Sequence, residues 1–229
     1  MTRSAGVSPW TSEDTVGSFA RALPNAVLLR YAEEASRTRP CGVAVDIGCG
    51  AGRNGVPLAR MGWSVIGTDL PWPMLVAGVE RARRDAPAAR AIFAHAPMDA
   101  IPAADASADL VVAHGVWNLA SSGREFRRAL AEAARVAKPG AGLFVFTFSR
   151  NTLPAAASPV EGETFVYTEF ANRPQVFLTA AQLLSELALA GFDHDPAVPL
   201  TEYNRPAPGV LRSGGPVIYE AAFRRRSKM

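Results

Sequence analysis

The sequence is poor in the residues that build metal centres and disulfide frameworks. Its 229 residues include only two cysteines and three histidines. Cys41 and Cys49 flank a single predicted strand, and in a reducing compartment such a pair is more often two free thiols than a bridge. His95, His114 and His194 show no spacing typical of ligands, so we expect no metal site.

Long hydrophobic runs are also missing. No apolar stretch approaches about 20 residues and no charged-then-apolar leader is present, which favours a cytoplasmic protein without membrane contact. The net charge is only +3, and part of the excess lies in the tail 224–228. Because no aromatic-plus-basic patch accompanies this tail, we favour a solvated end over a nucleic-acid contact. The length suits one α/β domain.

What the chain does contain is a glycine-rich turn between a short apolar run and a helix. Gly48, Gly50 and Gly52 follow the run 43–47, and residues 54–61 can form the helix. Glycine tolerates positive φ and, because it lacks Cβ, lets the backbone come within contact distance of a ligand. The unpaired amides at the start of a helix add hydrogen-bond donors. The pattern predicts a site for a nucleotide-like ligand.

A second predicted strand, 63–67, leads to Asp69, about 20 residues after Gly48. An acidic residue at this distance is where a ribose-binding carboxylate belongs in a Rossmann-like unit. A dinucleotide site would need a third glycine where this chain has Arg53. The spacing therefore predicts an adenosine cofactor other than a dinucleotide.

The turn Asp46-Ile47-Gly48-Cys49-Gly50-Ala51-Gly52 resembles motif I of the class I S-adenosylmethionine-dependent methyltransferases, D/E-x-G-x-G-x-G. The resemblance continues in register over roughly 43–192. Residues 100–102 and 109–112 are similar to that family's stretch around strand 4, residues 130–142 to its helix and K-P-G-G turn before strand 5, and residues 178–192 to its late helix ending in A-G-F.

The resemblance implies an α/β fold, a Rossmann-like three-layer sandwich with a mostly parallel seven-stranded sheet and an antiparallel C-terminal hairpin. The hairpin strands are predicted over 198–203 and 217–223, with the insert 204–216 between them as a flap or a surface turn. We predict an N-terminal helical cover, residues 1–36, and the methyltransferase domain, residues 37–229, which together form one structural domain.

Two details of the helices are predicted from side-chain patterns. Thr179 and Gln182 form a capping box for a helix that Gly191 stops. A second predicted helix, which begins near Trp72, carries several arginines toward its C-terminal end. Charged side chains keep a helix face exposed to water, so we predict that this face is solvated. The residues predicted on this exposed side are Arg81, Arg83 and Arg84.

The resemblance implies that the turn holds the methionine end of S-adenosylmethionine. Asp46, Gly48 and Gly50 match the motif, and Cys49 lies between the two glycines. Arg53 follows the turn in a G-R-N sequence similar to that of small-molecule branches of the family. It could pair with an anionic group or serve a structural role at the helix start.

The ribose and adenine contacts are implied further along the chain. Asp69 would bond the ribose, and Leu70 would flank the adenine. The family's next acidic residue, which typically bonds the adenine amino group, is replaced here by Pro97. Either the loop shifts to bring Asp99 in, or the backbone of Met98 alone reads the adenine. We favour the backbone alternative.

The end of strand 4, predicted over 109–113, should face the methyl group, because α/β sheets bind ligands beyond their carboxyl edge. The resemblance implies that the backbone at Ala113 and His114 holds the methionine part of the cofactor. A neutral imidazole here could also take a proton from the acceptor, which makes His114 the candidate catalytic base. The alternative is that His114 contributes its backbone and packs its ring.

Aromatic side chains outside the cofactor motifs are the candidate substrate contacts. In the family, the segment before strand 1 covers the substrate side, although aromatics there could also simply pack on the domain. The irregular segment 150–176 is long enough to be a functional loop. The candidates are Trp10, Phe19, Trp117, Tyr167 and Tyr203.

The sequence therefore predicts a methyltransferase that uses S-adenosylmethionine, releases S-adenosylhomocysteine and methylates O, N or S of a small molecule, as a monomer or homodimer. The D/N-P-P-Y/F motif of DNA and some amine methyltransferases is not in the sequence. An RNA or protein methyltransferase and a non-catalytic, cofactor-bound regulatory protein stay as alternatives, since a cofactor motif argues for binding and not for chemistry.

Overall fold

Three short parallel strands carry the glycine turn. β1 (Val43–Ile47) pairs with β2 (Ser64–Asp69), and β2 pairs with β3 (Ala91–His95). The computed structural model describes residues 9–38, 40–205 and 215–227, and it divides the chain into two compact units, Met1–Pro97 and Met98–Met229. β1 is almost wholly buried, as the continuous apolar run of a parallel strand requires.

Four helices accompany these strands in the first unit: α1 (Glu13–Arg21), α2 (Ala26–Thr38), α3 (Gly55–Arg60) and α4 (Trp72–Asp85). A 3-10 turn, Pro9–Thr11, precedes α1. The Ser12 side chain caps α1 by accepting a hydrogen bond from the Thr15 N–H at 3.3 Å. The predicted strand, glycine turn, helix and strand around the motif are confirmed.

The second unit combines parallel and antiparallel strands. β4 (Ala108–His114) runs parallel to β5 (Ala137–Phe148), and β10 (Ile218–Arg225) runs antiparallel to β5. β8 (Phe192–Asp195) and β9 (Thr201–Tyr203) both pair antiparallel with β10. The helices are α5 (Gly123–Val136) and α6 (Ala180–Leu189), and α6 begins with the predicted Thr179–Gln182 capping box.

The antiparallel part differs from the predicted hairpin. Strand β8 follows α6 directly, so three strands stand where two were expected. The K-P-G sequence also lies inside β5 and not before it, because Gly140 adopts a φ of 77° and the pairing with β4 shifts between Ala108 and Leu110. A glycine and a register shift absorb the irregularity, so the strand continues through the proline.

The irregular segment 150–176 holds a small sheet of its own, β6 (Val166–Tyr167) paired antiparallel with β7 (Gln175–Val176). Its path is fixed near the start by Arg150, whose guanidinium donates hydrogen bonds to four backbone carbonyls. These belong to Leu153, Pro154, Ala155 and Ala157. Within the described residues no helix is long and apolar enough to cross a bilayer. Most of the insert 204–216 lies outside them.

Candidate functional site

The backbone of the glycine turn is left-handed at alternate residues. Gly48, Gly50 and Gly52 have φ values of 67°, 53° and 70°. A Cβ on Gly52 would lie 2.9 Å from Cγ2 of Val56, so the turn excludes side chains by contact as well as by conformation. Glycine therefore brings the chain from β1 into α3 without the backbone strain that a side chain would add at these φ values.

The Asp69 carboxylate is held at the end of β2 by two backbone amides. Its Oδ2 accepts from the Gly50 N–H at 2.7 Å, and its Oδ1 accepts from the Leu70 N–H at 2.8 Å. Burial raises the pKa of Asp69, while these two hydrogen bonds oppose the rise. Each carboxylate oxygen has a further lone pair, so the group can accept two hydroxyls in a fixed geometry.

Asp46 lies deeper, only 2% exposed, at the end of β1. Burial, followed by the charge of Asp69, raises its pKa to about 7, against the charge of Arg53 and the Gly55 N–H. Its Oδ2 has no hydrogen-bond partner among the described residues. A buried carboxylate with a spare acceptor is suited to a ligand that brings a positive charge.

Two other turn residues differ in their exposure. Cys49 is buried, and burial raises the pKa of its thiol well above its ordinary value, so the side chain packs as a neutral group. Leu70, in contrast, is 54% exposed directly after Asp69. It is an apolar side chain at the surface beside a fixed carboxylate.

The N-terminal segment reaches the glycine turn. Cδ1 of Phe19 lies 3.6 Å from the position of a Cβ on Gly50. Trp10 packs edge-on against Phe19 with ring centroids 5.6 Å apart. The predicted cover residues therefore form one aromatic pair, and its Phe19 member lies against the turn.

Sequence reasoning was wrong about Arg81. The side chain is not solvated but 9% exposed, and it donates hydrogen bonds to the carbonyls of Ala20 and Ala22 at the end of α1. The signal was in the helix period, since Met74, Gly78 and Arg81 share one face of α4 at i, i+4 and i+7 and the first two are buried. Because Arg83 and Arg84 follow closely in the sequence, Arg81 was predicted to be solvated together with them.

In the second unit, His114 ends β4 and stacks on Phe146 of β5, with ring centroids 4.0 Å apart and planes inclined by 12°. Phe146 also pairs with Glu220 of β10, so the three side chains form a cross-strand row on one face. Glu220 is buried and accepts a hydrogen bond from the Tyr203 hydroxyl at 3.0 Å. Sequence reasoning missed Glu220, although a single acid inside an apolar strand marks it.

Asp99, the candidate adenine contact in the loop after β3, already has a partner within the protein. Asp99 forms an ion pair with Arg128 of α5, and its side chain is mostly buried. This partner holds the Asp99 carboxylate in place.

Two of the predicted substrate contacts are buried side chains. Trp117 is buried and packs edge-on against Phe126, with centroids 6.3 Å apart. Tyr167 is buried too, and its hydroxyl accepts from Nε of Arg150 at 3.1 Å. Tyr203 keeps an exposed ring. Composition alone could not distinguish these three, because their burial is set by packing partners distant in sequence.

Aromatic rings gather in the segment around β6 and β7. Phe148 lies 5.4 Å from both Phe170 and Phe177, and the latter two are 5.8 Å apart, all between ring centroids. We call these three residues the aromatic cluster. Phe177 is fully buried, whereas Phe170 is 41% exposed. The aromatic cluster thus exposes the ring of Phe170 to solvent, while Phe177 packs in the interior beneath it.

Comparison with known proteins supplies an independent view. Residues 44–140 match a family model described as a methyltransferase domain. The chain is 36% identical over 130 residues to a ubiquinone/menaquinone biosynthesis C-methyltransferase of Acidiphilium cryptum, covering 56% of this chain and 51% of that one. It is 30% identical over 174 residues to a ubiquinone biosynthesis O-methyltransferase of Azorhizobium caulinodans, covering 73% and 66%. The chain thus matches about half to two thirds of these relatives' lengths.

Among solved structures, an S-adenosylmethionine-dependent methyltransferase from Methanosarcina mazei resembles the chain with a TM-score of 0.67 at 20% identity. The superposition covers 90% of this chain and all of that one. At this identity the similarity establishes the fold, and it confirms the predicted Rossmann-like α/β class.

Proposed function

Because the chain belongs to the S-adenosylmethionine-dependent methyltransferases, we propose that it transfers a methyl group from S-adenosylmethionine to O, N or S of a small molecule. The observation that carries the proposal is the Asp69 carboxylate, which two backbone amides aim from the end of β2. A fixed, half-buried acceptor pair beside a glycine turn is suited to the two hydroxyls of a ribose.

The residues of the turn fit the rest of an adenosine cofactor. Leu70 supplies an exposed apolar wall for the adenine, and the left-handed backbone at Gly48 and Gly50 carries no Cβ that would hold a ligand away from the turn. Asp46 supplies a buried carboxylate with an unused oxygen for a cationic group. When bound, S-adenosylmethionine supplies a methyl group activated by its sulfonium. The protein's contribution is then alignment of the acceptor and exclusion of water.

On the acceptor side, we propose that the substrate lies near the end of β4. His114 is the candidate base where the acceptor arrives protonated, because stacking on Phe146 fixes the plane of its imidazole. The curated relatives are named for quinone biosynthesis, which supports a small acceptor. Rings such as those of the aromatic cluster can bind such a molecule by stacking.

The proposal includes a cytoplasmic location. Cys41 and Cys49 are free thiols in the structure, the state that a reducing compartment maintains. Because Cys49 lies inside the glycine turn, oxidation there would disturb the proposed site directly.

Calorimetric titration with S-adenosylmethionine and S-adenosylhomocysteine tests the cofactor assignment. Asp69→Ala should weaken the binding of both by roughly 30- to 100-fold, because it removes charge-assisted hydrogen bonds to the ribose. Asp193→Ala serves as the matched control, since this exposed carboxylate pairs only with Arg226 in the described structure. Equal affinity in wild type and Asp69→Ala, or no binding by the folded wild type, would overturn the assignment.

Turnover is tested separately. Purified protein with S-adenosylmethionine and a panel of small hydroxylated, thiol and amine acceptors should release S-adenosylhomocysteine with at least one of them. Wild type that binds the cofactor but turns over none of a broad panel would point to the regulatory alternative.

A further inference from the structure

Helix α1 lies at the surface of the first unit. None of its residues is buried, although it lies beside the glycine turn. A helix of this length has little stability of its own, because isolated helices shorter than about 12 residues are marginal in water. Its position therefore depends on the side chains that hold it.

Arg81 supplies the first of these attachments. Its Nη1 donates to the carbonyls of Ala20 and Ala22 at 3.2 and 3.3 Å, and its Nη2 donates to the Ala22 carbonyl at 3.3 Å. The last carbonyls of a helix lack partners within the helix, so a buried guanidinium at this point stabilises the end of α1. Asp85 of α4 lies 3.7 Å from Nε of Arg81.

Asn54 supplies the second attachment, one residue before α3. Its Oδ1 accepts from the Asn25 N–H at 3.0 Å, and the Asn54 side chain is buried. Asn25 in turn caps α2 through a 2.9 Å bond from the Leu28 N–H to its Oδ1. The connector 22–25 is thus fixed at both ends by side chains that frame the glycine turn.

This arrangement places Phe19 in the path of a ligand. Its ring lies 3.6 Å from the position of a Cβ on Gly50, the residue whose N–H also orients Asp69. A ligand that packs on the turn must either share this space with the ring or move it. Ring and helix can move together only if the Arg81 bonds to α1 release.

We propose that Arg81 is a positioning residue that holds α1 closed over the glycine turn and thereby sets how fast cofactor and product leave. The inference rests on the proposed function for the identity of the ligand, S-adenosylmethionine or S-adenosylhomocysteine. Arg81 acts through α1 and Phe19, without contacting the ligand itself.

The test pairs Arg81→Met with Arg83→Met, since Arg83 lies on the same helix but is exposed. Hydrogen exchange should accelerate about tenfold in peptides covering 13–22 of Arg81→Met, with 43–47 unchanged, because bonds to a charged donor are lost. Stopped-flow dissociation of S-adenosylhomocysteine should accelerate by a similar factor. Arg83→Met should match wild type in both measurements.

Two further variants keep the test decisive if Arg81→Met folds poorly. Arg81→Lys retains the charge but not the planar fork, and should give intermediate values in both measurements. Phe19→Ala should accelerate dissociation of S-adenosylhomocysteine while leaving hydrogen exchange in 13–22 nearly unchanged, because the hydrogen bonds from Arg81 to the end of α1 stay intact.

Normal exchange in α1 of folded Arg81→Met would overturn the clamp. Faster exchange with an unchanged dissociation rate would overturn its link to the ligand. If wild type binds no S-adenosylhomocysteine, the proposed function fails, while the exchange measurement still decides whether Arg81 holds α1.

Discussion

The glycine turn of the first unit and the aromatic cluster of the second are built by opposite means. The turn is defined by its backbone, through positive φ at alternate residues and through amides that bind Asp69. The aromatic cluster is defined by side chains that meet from separate elements, Phe148 at the end of β5 and Phe177 after β7. The glycine turn can be recognised from consecutive residues of the sequence, whereas the aromatic cluster forms only when distant segments come together in the folded chain.

The difference suggests how the two halves of the proposed reaction are specified. Backbone amides are the same in every sequence, so the turn selects its ligand by where glycines permit a close approach. An aromatic surface changes with every substitution in it. We therefore expect cofactor choice to depend on conformation and acceptor choice to depend on side-chain identity.

The largest effect on stability should come from Phe177, the fully buried member of the aromatic cluster. Phe177→Ala should lower the free energy of unfolding by about 3–5 kcal/mol, because it deletes a fully buried ring. Affinity for S-adenosylhomocysteine should stay at the wild-type value, since the bonds of the turn are made by residues of the first unit. Denaturant unfolding and calorimetry measure the two quantities. A parallel loss of affinity would break the separation between the regions.

The glycine turn should respond to a single methyl group. Gly52→Ala should cost about 2–4 kcal/mol, because the new Cβ adds a 2.9 Å contact with Val56 to the strain of positive φ. Gly140→Ala is the matched control, since its φ is 77° but nothing lies within 4 Å of its Cβ position. It should cost only about 1–2 kcal/mol. Equal costs in thermal unfolding would show that contact plays no part.

Asp46 should make the stability of the ligand-free protein depend on pH. Its folded pKa is about 7, above the ordinary value of 3.8, so the folded state binds the proton more tightly than the unfolded state. The resulting stabilisation is present below about pH 4 and is lost as the pH rises through 7. Asp46→Asn should therefore gain stability relative to wild type between pH 5 and pH 8, by roughly 1–3 kcal/mol.

Denaturant unfolding at both pH values measures this difference. Asp193→Asn is the control, because the Arg226 partner lowers the pKa of that exposed carboxyl and its titration lies below this range. An Asp46→Asn difference that is the same at both pH values would contradict the prediction.

The smallest effect should separate binding from stability altogether. Leu70→Ser should leave the free energy of unfolding within about 0.5 kcal/mol of wild type, because the side chain is already exposed. It should weaken S-adenosylhomocysteine binding by roughly threefold through loss of an apolar contact. Leu189→Ser, at an 80% exposed leucine of α6, should change neither quantity. Unchanged affinity in Leu70→Ser would remove Leu70 from the adenine wall.

Local patterns accounted for most of the first unit. The glycine turn and Asp69 followed from spacing. In the second unit, Thr179 marked the start of α6, because its side chain caps the backbone three residues further on. The roles assigned to Asp46, Arg53 and the other site residues stay predictions, which the binding experiments address.

Features that depend on distant partners were not predictable in the same way. Arg81 was misplaced because its partners, the carbonyls ending α1, lie about 60 positions away in sequence. Trp117 and Tyr167 were predicted as substrate contacts, and nothing local in the sequence indicates the packing that buries them. Strand β8 was missed because its sequence, FDHD, is too polar to suggest a strand.

The hydrogen bonds from Arg150 to four backbone carbonyls have a consequence for which substitutions this part of the chain can accept. All four carbonyls that Arg150 gathers are main-chain groups, and every residue carries one. The course of 153–157 is therefore largely independent of the side chains along it. This stretch can accept new side chains, by drift or in a designed library, while its route over the second unit is kept. It is a natural place to seek altered acceptor preference.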